Sequence, residues 1–241
     1  CLNSATAALE LTLRVLGIGE GDEVIVPAMT YTASCSVIYH VGAKAVIVDI
    51  AEDSHEMNYD ALANAITENT KAVFIETPTN PLMQEVNIEQ VAKIAKQKGA
   101  LLIVDNTLLT PLRQKPLILG ADIVIHSATK YLTGHNDILA GAVITNNEKI
   151  GERLLWLSNT TGAVLSSFDS WLFIRSLKTL PLRFSKQENN AIKLAEELEK
   201  HPNVKEVLYP KRGAMLSFRL NDETKIDKFL RSLKVATFAE S

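Results

Sequence analysis

The sequence has few cysteines, little net charge and no long apolar run. Cys1 and Cys35 are its only two cysteines and have no metal-ligand spacing, so we expect no disulfide framework, no metal site and a reducing, cytoplasmic location. The formal net charge of −3 leaves no basic surplus and argues against nucleic acid as the main partner. No apolar run approaches the roughly 20 residues that cross a bilayer, so no membrane segment is expected.

Short apolar runs alternate with amphipathic helical patterns over the first 146 residues. The runs are rich in branched residues and have almost no polar positions, as strands do when helices cover both faces of a parallel sheet. The predicted strands are residues 24–26, 45–48, 72–75, 101–104, 123–125 and 142–144. Their alternation with helices predicts the α/β class, with a mostly parallel, doubly wound sheet flanked by helices.

The pattern changes after about residue 146, where helices dominate. Two further strands, 204–208 and 215–218, then precede a helix at 226–233. We therefore predict a large domain over residues 1–175 and a smaller, partial α+β domain over residues 176–241. The chain starts without Met and stops directly after an apolar run, so we expect natural segments to be missing at both ends.

Two charged residues follow predicted strands, at the end of the sheet where α/β proteins bind ligands. Asp105 comes directly after the run 101–104; a carboxylate there can pair with a pyridine nitrogen, or it can simply cap the turn. Lys130 lies shortly after the run 123–125 and can form a Schiff base, although most lysines in polar turns are only solvated.

Hydroxyl and amide donors near these residues suit an anion. Ser127 and Thr129 carry hydroxyls that can bind a phosphate together with loop amides. Ala5 and Thr6 open the first predicted helix, whose free N–H groups form an anion site, although any well-capped helix has the same residues.

Two further side chains are candidates for contacts with a ligand. Tyr31 follows the first strand and can stack on a cofactor ring, with core packing as the alternative. Asn80 lies in a turn stiffened by Pro78 and Pro81. It can donate to a cofactor or to a substrate carboxylate, or it can form an Asx turn.

These elements, in this order, resemble fold-type I pyridoxal-phosphate (PLP) enzymes, and residues 71–241 are similar to the Cys/Met-metabolism family. The matching segments are residues 73–81, 104–107, 126–131, 161–165, 177–183 and 215–218. Residues 133–137 and the short connector 209–213 resemble the cystathionine γ-synthase/O-acetylhomoserine thiolyase branch. The first 70 residues look more like the DegT/StrS sugar aminotransferases, which share the fold.

The resemblance implies PLP as cofactor and assigns roles to individual residues. Lys130 would hold PLP, Asp105 would face its ring nitrogen and Tyr31 would stack on the ring, and these three are the expected catalytic residues. The expected cofactor contacts are Lys130, Asp105, Thr107, Ser127, Thr129, Ala5, Thr6 and Tyr31. The expected substrate contacts are Asn80 and Ser241, the latter where the family begins its substrate-carboxylate loop.

The resemblance also implies a reaction and an assembly. The expected reaction is γ-replacement on an acylated homoserine by cysteine, which gives cystathionine in methionine biosynthesis. The alternatives are a cystathionine β-lyase, a sugar aminotransferase, or a truncated PLP-fold protein with little activity because segments of the family are missing. Amino acids would be the small-molecule substrates, and a homodimer or homotetramer is expected because family members assemble in that way.

Overall fold

The computed structural model describes residues 1–51 and 57–237, and its centre is one six-stranded sheet in the order β2-β1-β3-β4-β5-β6. Strands β1 to β5 run parallel, whereas β6 is antiparallel to β5. The strands are β1 (Glu23–Pro27), β2 (Lys44–Val48), β3 (Thr70–Glu76), β4 (Leu101–Asp105), β5 (Ile123–Ser127) and β6 (Gly141–Thr145). All six predicted runs lie inside these strands, and the predicted α/β class is confirmed.

Helices connect the strands and continue beyond them. They are α1 (Ala5–Val15), α2 (Thr32–His40), α3 (Tyr59–Ala65), α4 (Ile88–Gln97), α5 (Thr110–Arg113), α6 (Glu148–Thr161), α7 (Ser167–Leu177), α8 (Leu180–Glu199) and α9 (Ile226–Ser232). Side chains cap several of them. Ser4, for example, accepts the N–H of Ala7 at 3.0 Å and starts α1, and Gly17 has a φ of +72° just after that helix ends, a conformation that glycine adopts without steric cost.

The middle residues of the inner strands β1, β3, β4 and β5 are apolar and buried because helices cover both faces of the sheet there. Successive residues of β1 enter different cores: Val24 and Val26 pack with α1, α2 and α6, whereas Ile25 packs with α3 and α4. We call these two sides the α1 face and the α4 face. Residues that alternate along a strand point to opposite faces, so both faces demand apolar side chains.

The C-terminal part carries a separate two-stranded antiparallel sheet, β7 (Val204–Leu208) and β8 (Ser217–Leu220). Strand β8 starts two residues later than predicted. Its first residue, Ser217, pairs with Leu208, the last residue of β7, and Pro210 follows shortly after. A proline has no N–H for a ladder, so residues 215 and 216 have no strand to pair with. The division at residues 175 and 176 stays a prediction.

A third apolar cluster fixes the loop between β5 and β6, which carries Lys130. Leu132 and Ile138 of this loop pack with Phe173 of α7 and Phe184 of α8. The ring of Tyr131 meets that of Phe184 edge to face, with centroids 5.1 Å apart. Within the described ranges, no helix has the length and apolar character needed to cross a membrane.

Candidate active site

Asp105 ends β4 on the α1 face, where its carboxylate is held by one neighbouring residue. The N–H of Thr107 donates to Oδ1 at 2.9 Å, and the Thr107 hydroxyl donates to the same oxygen. Thr107 Oγ1 in turn accepts the N–H of Ser127 at 2.7 Å. This chain of bonds ties the carboxyl end of β4 to that of β5 and leaves Oδ2 of Asp105 without a donor in the part of the chain that the structure describes.

Lys130 lies close enough to Asp105 for the two charges to interact, yet no ion pair within 4.0 Å joins them. Burial lowers the pKa of the Lys130 amine, and the attraction of Asp105 opposes that shift. Burial raises the pKa of Asp105, against the hydrogen bonds from Thr107 and the charge of Lys130. The two charged groups therefore lie near each other without forming a direct ion pair.

Glu76 is a second carboxylate in the same place, and the sequence analysis did not single it out. It ends β3 and stands opposite Asp105 in the strand register. Burial, followed by repulsion from Asp105, raises the pKa of Glu76 to about 7. Thr30 Oγ1 donates to Glu76 Oε2 at 3.2 Å, and the N–H of Tyr31 also donates to this carboxylate. The available signal was a charged residue at the end of an apolar strand, as at Asp105.

The first turn of α1 meets the ends of β5 and β6 at a second part of the site. Ser127 pairs with Gly141 across these strands, and Gly141 exchanges two 2.8 Å hydrogen bonds with Leu2. A Cβ on Gly141 would overlap the carbonyl of Ser4 and lie 3.0 Å from the nitrogen of Ala5. Glycine is therefore required for this close approach, which brings Ala5 next to Ser127.

Several donors in this corner make no hydrogen bond within residues 1–51 and 57–237. They are the Ser127 hydroxyl and the N–H groups of Ala5 and Thr6. The Thr129 hydroxyl differs, because it accepts the N–H of Ala140 at 2.9 Å and donates to the Ala140 carbonyl at 3.3 Å. Thr129 would have to turn its proton away from Ala140 to bind an anion. Its phosphate contact stays a prediction, as do those of Ser127, Ala5 and Thr6.

The remaining predicted site residues lie at or beyond the rim. Tyr31 stands at the N-terminus of α2 with 65% of its surface exposed, and its backbone N–H reaches Glu76. Its stacking on the cofactor ring stays a prediction. Asn80 is exposed in the turn after β3. Ser241 lies outside the described residues. No group of three His, Cys, Asp or Glu side chains in the described ranges could hold a metal ion.

Comparison with known proteins now decides the family. The profile of the Cys/Met metabolism PLP-dependent enzymes matches residues 1–241. The chain belongs to this family. The match includes the first 70 residues, beyond the part from residue 71 onward for which the sequence analysis noted this resemblance.

Individual relatives agree with this assignment. A cystathionine gamma-synthase/O-acetylhomoserine (thiol)-lyase of Bacillus subtilis is 48% identical over 239 residues, which cover 99% of this chain and 63% of that protein. A cystathionine beta-lyase of Lactococcus lactis subsp. cremoris is 42% identical, with 99% of this chain and 66% of that protein covered. The chain thus spans less than two thirds of the length of these relatives.

Solved structures show the same fold. The crystal structure of metB from Corynebacterium glutamicum superposes with a TM-score of 0.92 at 35% sequence identity, over 100% of this chain and 66% of that one. The expected PLP-dependent transferase fold, fold type I, is therefore confirmed.

The side chains at the site fit the cofactor that this family uses. PLP needs an amine for its carbonyl carbon, an anionic acceptor for its protonated ring nitrogen and donors for its phosphate. Lys130 supplies the amine, Asp105 has a buried carboxylate oxygen without a donor, and the free donors of Ser127 and Ala5 face the corner beside them. The donor set thus matches PLP in chemistry and in order along the sheet edge.

Proposed function

We propose that the protein carries out γ-replacement on an acylated homoserine. The sulfur of cysteine bonds to the γ carbon, the Cγ–O bond breaks so that the acyloxy group leaves as a carboxylate, and cystathionine is the product. Membership of the Cys/Met family and 48% identity to the B. subtilis γ-synthase/thiolyase support this choice.

The arrangement of Asp105 and Lys130 carries the proposal. PLP, when bound, withdraws electrons from the bonds at the substrate's α carbon. The Lys130 amine, whose pKa is lowered by burial, would hold the cofactor; once freed, it would take protons from the substrate Cα and Cβ so that the γ substituent can leave, and return them after the thiol has added. The Asp105 carboxylate would accept the ring N–H and keep that nitrogen charged.

The other side chains would orient the cofactor and the substrate. The Ser127 hydroxyl and the first amides of α1 at Ala5 and Thr6 would bind the phosphate, with Thr129 beside them. Tyr31 would lie against the ring, and Asn80 would contact the substrate. These roles follow from the resemblance and from the positions described above.

The β-elimination of cystathionine is the second candidate, since the same Lys130 and Asp105 would serve it. The 42% identical beta-lyase of L. lactis supports this candidate. The two reactions differ in the carbon that loses its substituent, and both begin with proton removal from the substrate Cα by Lys130.

Parallel assays of the purified protein loaded with PLP test the proposal. One assay supplies O-acetyl- or O-succinylhomoserine with cysteine and measures cystathionine; the other supplies cystathionine alone and measures pyruvate. We expect cystathionine formation to exceed pyruvate release. We also expect Lys130→Ala to abolish both reactions, whereas Lys149→Ala, a change at an exposed lysine of α6, should leave them unchanged.

Other outcomes separate the alternatives. Pyruvate release alone would replace the γ-replacement with the β-elimination. Amino transfer to a keto-sugar would favour a sugar aminotransferase. Bound PLP at Lys130 without any turnover would indicate a PLP-fold protein with little activity.

A further inference from the structure

A buried amide connects the turns behind the site to the C-terminal part of the chain. Gln114, 7% exposed, directly follows α5. Its Nε2 donates to Asn106 Oδ1 at 2.9 Å and to the Thr77 carbonyl at 3.3 Å. Its Oε1 accepts from Arg212 Nη2 at 3.2 Å. We call these four residues the Gln114 junction.

The junction holds the chain immediately after both carboxylates of the site. Asn106 follows Asp105, is fully buried, and returns a bond from Nδ2 to the Gln114 carbonyl at 3.0 Å. Thr77 follows Glu76, and its N–H donates to the Asp105 carbonyl at 3.3 Å. One side-chain amide therefore fixes the backbone at the ends of β3 and β4, which sets the direction of the two carboxylates.

Arg212 brings a charge to this junction from the connector between β7 and β8. Its guanidinium also forms an ion pair with Glu85 and donates to the Arg113 carbonyl at 3.3 Å. Hydrogen bonds from a charged donor are stronger and more directional than neutral ones. The hydrogen bond from Arg212 thus fixes the Gln114 amide in one orientation, in which the two Nε2 protons point to Thr77 and Asn106.

We infer that Gln114 and Arg212 are positioning residues for the cofactor and that they act through the backbone that carries Asp105. The inference rests on the placement of PLP described above and concerns neither the substrate nor the reaction. Neither side chain belongs to the groups proposed above to contact the cofactor. Through these two residues, the connector between β7 and β8 would help to orient the Asp105 carboxylate toward the ring nitrogen.

Substitutions in the PLP-loaded protein test this inference. Gln114→Met keeps the side-chain length and removes all three amide bonds; Arg212→Met removes the charge, and Arg212→Lys retains it. Arg113→Met is the matched control, because it breaks a neighbouring ion pair with Glu188 without touching the Gln114 amide. Each variant is measured for PLP affinity, for the pH midpoint of the bound cofactor's visible absorption band, and for thermal stability.

We expect Gln114→Met to weaken PLP binding by roughly tenfold, since buried polar groups lose their partners. The pH midpoint of the band should rise by roughly half a unit or more, because a ring nitrogen with a misplaced carboxylate carries less positive charge. Arg212→Met should produce the same two effects to a smaller extent, and Arg212→Lys should recover part of them. The double variant Gln114→Met/Arg212→Met should be less than additive.

Arg113→Met should lower the melting temperature and leave PLP affinity and the pH midpoint unchanged. If Gln114→Met and Arg212→Met behave in this way too, the junction is only structural and the inference is wrong. Arg212 is half-exposed, so its variants keep the test decisive even if Gln114→Met does not fold. Cofactor binding and its spectrum are independent of the substrate, so failure of the proposed γ-replacement would leave this result unaffected.

Discussion

Glu76 and Asp105 stand side by side at the carboxyl ends of neighbouring parallel strands, with both carboxylates on the α1 face. Burial raises the free energy needed to ionise both carboxyl groups, and the charge of Asp105 raises it further for Glu76. A cationic ring nitrogen placed against Asp105 would relieve the repulsion. The pair therefore favours a positively charged ligand over an empty site.

Glu76→Gln should change how the stability of the PLP-free protein depends on pH. The pKa of Glu76 rises from 4.5 to about 7 on folding, so its contribution is complete below pH 4.5 and is lost as the pH rises through 7. The loss amounts to about 3 kcal/mol. Urea unfolding should show Glu76→Gln gaining stability relative to the parent across this interval. Glu89→Gln, at an exposed position of α4, should run parallel to the parent, and an offset for Glu76→Gln that is constant with pH would contradict the assignment.

The stability contribution of His126 should depend on pH in the opposite direction to that of Glu76. It lies buried on the α4 face, with Nδ1 unpaired among the described residues, and burial lowers its pKa from 6.5 to about 4. Its neutral form stabilises the fold above pH 6.5, and this contribution, again about 3 kcal/mol, is lost as the pH falls through 4. His126→Leu should therefore gain stability relative to the parent in urea unfolding at pH 4.5 compared with pH 7.5. An exposed-site control, His201→Leu, should show no such gain.

The strands, and the reactive residues that follow them, could be predicted because both depend on the local sequence pattern. Runs such as 123–125 are apolar on both faces, so they indicate a covered parallel sheet. Asp105 follows such a run directly, and Lys130 follows one after four residues. Glu76 also ends an apolar run, but its pairing with Asp105 depends on the register of β3 against β4, which no local pattern encodes.

The hydrogen bonds of Thr129 and Gln114 could not be predicted for a related reason. Thr129 bonds to Ala140, and Gln114 bonds to Arg212 from a distant connector. Such contacts depend on how loops close in three dimensions, whereas composition shows only that the donors exist.

Thr107→Val should loosen Asp105 and the end of β5 at once. The change removes a hydroxyl that donates to Asp105 and accepts from the Ser127 N–H, so a buried carboxylate and an amide lose a partner. We expect about 1–3 kcal/mol less stability in urea unfolding and weaker PLP binding. Thr107→Ser keeps the hydroxyl and should restore most of both. Equal behaviour of the Val and Ser variants would show that the hydroxyl is not needed.

Gly141→Ala should impair binding of the cofactor's phosphate more than binding of its ring. The added methyl group would overlap Ser4 and push the first turn of α1 away from Ser127. Affinity for PLP should fall, and affinity for pyridoxal, which lacks the phosphate, should fall much less. Gly151→Ala is the matched control. Gly151 lies in helix α6, and the added methyl group would contact only Thr145, at 4.0 Å. Equal losses for both ligands in Gly141→Ala would place the phosphate elsewhere.

Strand β5 shows what kind of sequence change this protein can tolerate. Its last two residues, His126 and Ser127, point to opposite sides of the sheet, one into the α4-side core and the other toward the site. Replacing either affects one side only. Inserting a single residue upstream would exchange the two, so that imidazole and hydroxyl swap surroundings and Lys130 moves out of reach of Asp105. During divergence this strand can therefore accumulate substitutions, but its length cannot change.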